Sequence, residues 1–365
     1  MMHLLKSGVR ASFRLVRRAA ALLLISVVAV SVRADTEYYR HVFFDNSLTP
    51  DSYFYSAGKA TAPSLLTLLD SKLPVETRTF LTPPNALRLE WTSQPGGGWV
   101  AQIGVLKFRN REIKFDGDVL SFWCFAPRQI GSAGLPLVRI ADIGENFSGP
   151  LPLAKFSGAL PAGRWVHVKI PLRDFATASI HLLETNHLGK LIFSQASADA
   201  APHILIIDQI TIEDSRIGAA RSALPAPQEV TATGYERHID VAWKPVVSEH
   251  LRHYVIYRSV DGKSFEPIGI QARGLRRYTD FLGKTDQTAS YKVAAFSSDE
   301  LRSPMSSAAS ASTRPLSDDE LLTMLQTECF RYYWESSGPH SGMARENIPG
   351  DDRIVATGAS GFGIL

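Results

Sequence analysis

Asp318-Asp319-Glu320 places three carboxylates side by side, and a pair of carboxylates about 5 to 9.5 Å apart can supply the acid and base of a hydrolytic cleavage. Their setting argues for a structural role. Ser317 precedes them and Glu320 stands three places after it, which is a capping box at the start of a helix. Acids in a first helical turn complement the positive end of the helix dipole. No Ser-His-Asp constellation can be placed, because its members are scattered and spacing alone does not show proximity. The two cysteines, Cys124 and Cys329, fall in different segments. A bridge between them is not expected, and both read as small buried hydrophobes. No Cys/His spacing of the metal-binding kind occurs. Gly358, Gly361 and Gly363 resemble a phosphate loop only superficially. No strand precedes them and no Lys-Ser/Thr follows, so they read as allowing close backbone packing.

Aromatic rings offer a different chemistry, since an exposed ring can take the apolar face of a sugar while polar side chains take its hydroxyls. Trp91 shares a strand face with Leu87 and Leu89 and is expected in a core. Trp123 lies in a run apolar on both faces and is expected there too. Trp165 lies opposite Val166, Val168 and Ile170 and is expected to cover a loop or a second sheet. Trp99 follows three glycines, which makes it the best exposed candidate for sugar stacking; the alternative is a tryptophan that packs a rim. Asp45 and Asp208 could meet in space and hold a structural calcium, which wants clustered oxygens, or be ordinary hydrogen-bonded aspartates.

These residues need a scaffold, and the sequence supplies signals for one. Ala86–Trp91 and Trp165–Ile170 alternate strictly, as half-buried strands do. Val119–Phe125 and His203–Ile212 are apolar on both faces, as central strands of a sandwich are. Pro83-Pro84-Asn85, Pro95-Gly96-Gly97-Gly98 and Asp116-Gly117-Asp118 punctuate them. Short helical turns are expected near Ser64–Leu69 and Ser179–Asn186. Many short strands separated by turns predict a β-sandwich. Ala223-Leu224-Pro225-Ala226-Pro227 reads as a linker. Beyond it Ile239, Val241 and Trp243 alternate inward, and Asp261-Gly262 is a strong hairpin turn. After the box at Ser317 comes a helical stripe, Leu322, Leu325, Cys329, Tyr332 and Tyr333, stopped by Ser336-Ser337-Gly338-Pro339. One helix with so broad an aromatic face cannot bury it alone, so the remainder of its domain is expected beyond Leu365.

The chain has 365 residues, a net charge of +3 and 45% apolar residues. That suits two or three domains, excludes wholesale disorder and gives no argument for nucleic acid. Lys6, Arg10, Arg14, Arg17 and Arg18 precede the apolar run Ala19–Val30, and Val32-Arg33-Ala34 fits a cleavage site. Together these read as a secretory signal peptide, with an uncleaved anchor as the rival. The expected location is periplasmic or extracellular, with no membrane contact after cleavage.

Three resemblances accompany these patterns. Phe330-Arg331-Tyr332-Tyr333-Trp334, Ser341-Gly342-Met343-Ala344-Arg345-Glu346 and Thr357-Gly358-Ala359-Ser360-Gly361-Phe362-Gly363 resemble the start of the glycoamylase-like catalytic domain of glycoside hydrolase family 144 and its relatives. That family implies an (α/α)6 barrel acting on β-1,2-glucans, with its catalytic carboxylates downstream of these residues. In such a barrel the loop holding Arg345 and Glu346 lines the cleft, where the pair would touch sugar hydroxyls or form an ion pair that orders the loop. Val42-Phe43-Phe44-Asp45-Asn46, Gly163–Phe175 and Ile206–Ile212 resemble galactose-binding-like jelly rolls, a fold of many carbohydrate-binding modules. Val230–Thr313 is similar to a fibronectin type III domain.

The expected fold is therefore mainly β: two β-sandwiches, a jelly roll and then fibronectin type III, followed by the first helix of a truncated (α/α)6 domain. The expected boundaries are signal peptide 1–34, carbohydrate-binding-like jelly roll 35–222, fibronectin type III 223–314 and the start of the catalytic domain 315–365. The implied function is the N-terminal accessory region of an exported hydrolase of β-glucan, β-1,2-linked by the resemblance, inactive in this span. Trp99, Arg345 and Glu346 are the candidate substrate contacts, with no catalytic residue and no metal ligand assigned. No cofactor is expected beyond the calcium option, the partner is a β-glucan polysaccharide or oligosaccharide, and a monomer is expected. The alternative is a secreted, non-enzymatic carbohydrate-binding or adhesion protein.

Overall fold

The computed structural model describes residues 40–105, 114–177, 183–216, 223–298, 300–337, 341–344 and 355–362. The expected signal peptide, 1–34, lies outside them, as do Arg345 and Glu346. Among the described residues no helix is long and apolar enough to cross a membrane.

The first sandwich packs two antiparallel sheets. One runs β10 (Trp165–Pro171), β7 (Val119–Phe125), β12 (Pro202–Glu213), β5 (Ala86–Thr92), β3 (Leu65–Leu66), with β1 (Val42–Phe44) on β12 and β4 (Val75–Glu76) on β5. The other runs β2 (Ser56–Thr61), β6 (Gly98–Gly104), β11 (Leu188–Ser194), β8 (Leu137–Asp142), β9 (Leu151–Pro152). Period-2 alternation decides which side chains meet. Leu87, Leu89 and Trp91 of β5, Phe122 and Cys124 of β7, and Val168 and Ile170 of β10 point inward. Trp99, Ala101 and Ile103 of β6 and Leu191 and Phe193 of β11 face them. Phe122 and Phe193 meet edge to face with centroids 6.0 Å apart, joining the sheets.

The second sandwich sets β13 (Gln228–Gly234), β14 (His238–Lys244) and β17 (Arg277–Phe281) against β16 (Glu266–Ala272), β15 (Leu251–Ser259), β18 (Thr288–Ser297) and β19 (Ala309–Ser312). Ile239, Val241 and Trp243 are buried as their alternation predicts. Gly262 takes φ +71° in the expected hairpin turn, and Asp261 Oδ1 accepts from the N–H groups of Lys263 and Ser264, each at 2.8 Å. Those hydrogen bonds hold the Asp261 carboxyl at about 2.

The capping box forms as predicted. Ser317 Oγ accepts from Glu320 N at 3.3 Å and Glu320 Oε2 accepts from Ser317 N at 2.9 Å. The helix Asp318–Ser336 ends where the Ser-Ser-Gly-Pro signal places it. It leans on the second sandwich through Arg331 Nη1, 3.3 Å from Asp240 Oδ2. The first turns of its stripe stay open: Leu322 is 55% and Leu325 48% exposed.

Four local expectations need correction. Ser64–Leu69 makes no helical turn; Leu65 and Leu66 pair with β5 instead. Leu224, in the expected linker, is the one bulky apolar residue there and packs into the second core. Cys329 is exposed on the helix instead of buried. Added Cβ atoms at Gly358 and Gly361 would meet nothing within 4 Å, so close packing does not explain these glycines. Of Ser179–Asn186, residues 178–182 lie outside the described set, and Thr185–His187 forms a 3-10 turn.

Candidate functional site

Trp99 is not a surface residue. Alternation on β6 turns it inward with Ala101 and Ile103, and only 4% of it is exposed. Its Nε1 donates to Ser93 Oγ at 3.0 Å and its ring lies 5.2 Å from that of Trp91. The glycines before it serve the backbone instead of opening space beside the ring. Gly96 takes φ +79°, and a Cβ on Gly97 would sit 2.4 Å from Ser64 N. No face of Trp99 is left for a sugar.

Trp123 corrects the opposite way. It was expected in the core, yet it stands half-buried on the outer face of the first sheet, with Phe125, Trp165 and His167 beside it. Trp165 does lie opposite Val168 and Ile170, as predicted. The rings of this row cover one another. Trp123 and His167 stack with centroids 4.3 Å apart and planes 8° apart, and Phe125 meets Trp165 at 5.4 Å. Ring faces spent on neighbours leave mainly edges for a ligand.

The same face gathers a serine, a histidine and a carboxylate. Ser121 Oγ lies 2.6 Å from His167 Nε2, and Glu213 Oε1 lies 3.8 Å from that nitrogen. A nucleophile triad needs the carboxylate on Nδ1 and the serine on Nε2. Here both approach Nε2, so Glu213 cannot orient the ring for proton abstraction from Ser121. Burial pushes the His167 pKa down, Glu213 pushes it up, and Lys169 and Arg252 lower it again, leaving it below the ordinary imidazole value. Burial raises Glu213, but hydrogen bonds from Lys169 (2.7 Å) and Ser121 outweigh it and leave the carboxyl below its usual range. The cluster is a structural hydrogen-bond group.

The outer face of the second sheet presents polar groups with freer access. Register aligns Ala57, Gln102, Ile192 and Arg139 across four strands. Ile192 forms a floor with 4% exposure. Arg139 Nε donates to Ser148 O at 3.0 Å, and its guanidinium lies 5.8 Å from the Phe147 ring. Lys190 Nζ sits 2.5 Å from Glu145 Oε1. An amide, a guanidinium and an ammonium around an apolar floor, with Phe147 38% exposed at one side, can take hydroxyl groups and one ring face. The polar positions of β6, β8 and β11 carried this signal as the residues alternating with the core.

Asp45 and Asp208 do come together. Asp208 is fully buried; burial raises its pKa well above the ordinary value, and Asp45 adds to the rise. Its oxygens are already engaged: Oδ2 accepts from Leu81 N (2.7 Å) and Thr82 N (2.8 Å), and Oδ1 from Gln209 N (2.7 Å). Among the described residues no group of three or more His, Cys, Asp or Glu could hold a metal ion. Asp318, Asp319 and Glu320 occupy the first turn of the capped helix. The pair Arg345 and Glu346 lies outside the described residues.

No family model matches the sequence. Over 345 residues, 94% of this chain, it is 37% identical to an exo β-1,2-glucooligosaccharide sophorohydrolase (non-reducing end) of Parabacteroides distasonis. The crystal structure of a β-1,2-glucanase from Parabacteroides distasonis superposes on 88% of this chain at a TM-score of 0.77 and 37% identity. The match to the crystal structure of a family 30 carbohydrate-binding module spans 50% of this chain at 19% identity and a TM-score of 0.37. The chain spans about half of the relatives it matches, 48% of the sophorohydrolase and 46% of the glucanase.

Proposed function

We propose that residues 1–365 are the N-terminal accessory part of an exported hydrolase that acts on β-1,2-linked glucan or its oligosaccharides. One observation carries this reading: 37% identity sustained over 94% of the chain with a sophorohydrolase about twice as long. The half of the relative not matched has room for a catalytic domain. The buried and half-buried acids of the sandwiches that could attract attention have structural partners. Glu213 holds Lys169, Asp280 accepts from Tyr291 and Arg258, and Asp240 accepts from Thr279. In this reading the two sandwiches support the catalytic domain, the capped helix opens it, and Arg345 and Glu346 contact sugar from its first loop. The strip of Gln102, Arg139 and Lys190 is the surface for a glucan on the first sandwich. Export rests on the basic stretch and apolar run before Val32-Arg33-Ala34, and the protein acts as a monomer.

The test compares two proteins on β-1,2-glucan. The 365-residue chain releases no reducing sugar, and a chain continued with the relative's unmatched half does. Release by the 365-residue chain that a single Asp or Glu substitution within residues 35–365 abolishes would place the catalytic pair inside the sandwiches and overturn the reading. Glucan retention without hydrolysis by either protein favours the non-enzymatic binder.

A further inference from the structure

The two sandwiches meet at an irregularity in β12. Against β7, Asp208 pairs with Trp123 and Thr211 with Ser121, so β12 holds one residue more than its partner. That is a β-bulge, a device that re-aims a side chain. Gln209 occupies it with φ +48°, a left-handed backbone that a non-glycine residue adopts only when its surroundings hold it there. What holds it is Asp208, whose Oδ1 takes the Gln209 N–H while Oδ2 takes two N–H groups of the loop at Leu81 and Thr82.

Re-aimed in this way, Gln209 leaves its own sandwich. Its Nε2 donates to Glu300 Oε2 of the second sandwich at 3.0 Å, across 91 residues of sequence. Glu300 Oε1 also accepts from Arg252 Nη1 at 2.6 Å, with side chains 22% and 13% exposed. Glu300 itself takes φ +61°. Arg252 in turn lies close enough to His167 of the first sandwich to lower its pKa. Beside this polar bridge Val42 of β1 and Ala272 of β16 form a small buried cluster of their own. Charge-assisted hydrogen bonds shielded from water are the strong ones, and two backbones in the left-handed region pin both ends.

We propose that Gln209, Glu300 and Arg252 form a fixed elbow that locks the two sandwiches in one orientation, with Gln209 and Glu300 as positioning residues. The match to the Parabacteroides distasonis glucanase agrees with this, because a TM-score of 0.77 over 88% of the chain requires both sandwiches to superpose together. The elbow continues through the second sandwich to the capped helix, which Asp240 holds by Arg331. Whatever binds the first sandwich is then presented at a set distance from that helix, where a flexible tether would let it wander.

Double electron–electron resonance tests the elbow on the full 365-residue chain. Spin labels go on Lys59→Cys of the first sandwich and Val260→Cys of the second, both exposed, with Cys329→Ser removing the exposed native thiol. The parent gives one narrow distance distribution. Glu300→Ala broadens it or shifts it, and Glu300→Gln, which keeps an acceptor for Gln209 but lowers the charge, gives an intermediate width. Circular dichroism and thermal melts confirm that each variant is folded, so broadening reports orientation and not unfolding. A broad distribution in the parent, or an unchanged narrow one in folded Glu300→Ala, overturns the elbow. The result does not depend on whether the chain serves a glucan hydrolase.

Discussion

His253 is 2% exposed on β15 and stacks on Phe296 with centroids 5.4 Å apart. Burial is the main cause, and the Arg252 charge a lesser one, that depress its pKa from 6.5 to about 3. Above 6.5 the imidazole is neutral in both folded and unfolded chains and stability does not depend on it. As pH falls between 6.5 and 3, the unfolded chain takes a proton that the fold refuses. Stability then drops by up to about 1.4 kcal/mol per pH unit. His253→Phe keeps the ring stack and removes the proton, so urea melts between pH 7.5 and pH 5 should show a shallower loss than the parent; an equal slope in both proteins would place the pH dependence elsewhere, His167 being the next candidate. At this scale the sequence was legible wherever a strand has one apolar face: Trp91 and Trp243 are buried as expected. It misled where a strand is apolar on both faces, because alternation gives two sets of residues without saying which is inner. Trp123 was assigned to the wrong surroundings for that reason, and Trp99 because the three glycines before it read as open space when they serve the backbone.

At the scale of elements, turn chemistry and caps were the most legible signals, since each acts within a few residues. The capping box at Ser317 and Glu320 and the Asp261-Gly262 turn form as read. Ser317→Ala should cost about 1 kcal/mol of local helix stability. Hydrogen exchange at the amides of residues 319–321 should then speed up about fivefold, the rate ratio that this energy corresponds to. Exchange unchanged in the variant would mean that the Arg314–Glu320 ion pair at 2.6 Å, not the cap, holds the first turn. Less legible were elements whose partner is distant. Leu65–Leu66 became a strand because β5 offers an edge, Leu65 pairing with Thr92 and Leu66 with Trp91, and Leu224 left its linker to pack into the second core. The bulge at Gln209 had no local signature, since its cause is the buried Asp208 carboxylate beneath it and a glutamate of the other sandwich.

Among the described residues, two main cores are joined by a polar elbow and the small Val42–Ala272 cluster, and a helix rests on the second. Each sandwich buries its own set of aromatic and branched side chains, and the two sets do not merge. The order of the sandwiches was readable, but their relative orientation was not, because the Gln209–Glu300 contact links residues 91 apart. Among the described residues the helix adds little to either core: Leu322 and Leu325 of its stripe are exposed, and Arg331 ties it to Asp240 of the second sandwich at 3.3 Å. Asp240 keeps the Thr279 hydroxyl at 2.7 Å when that pair is lost, and it gains water. A fragment ending at Thr313 should therefore remain soluble and unfold cooperatively. An ion pair of this kind is worth about 1 kcal/mol or less, and for a sandwich of this size that lowers the melting temperature by about 4–8 °C at most. Calorimetry of the fragment beside the 365-residue chain measures it. A much larger drop, or aggregation of the fragment alone, would mean that residues 314–365 shield apolar surface of the sandwiches and that the boundary at Thr313 cuts through a shared core.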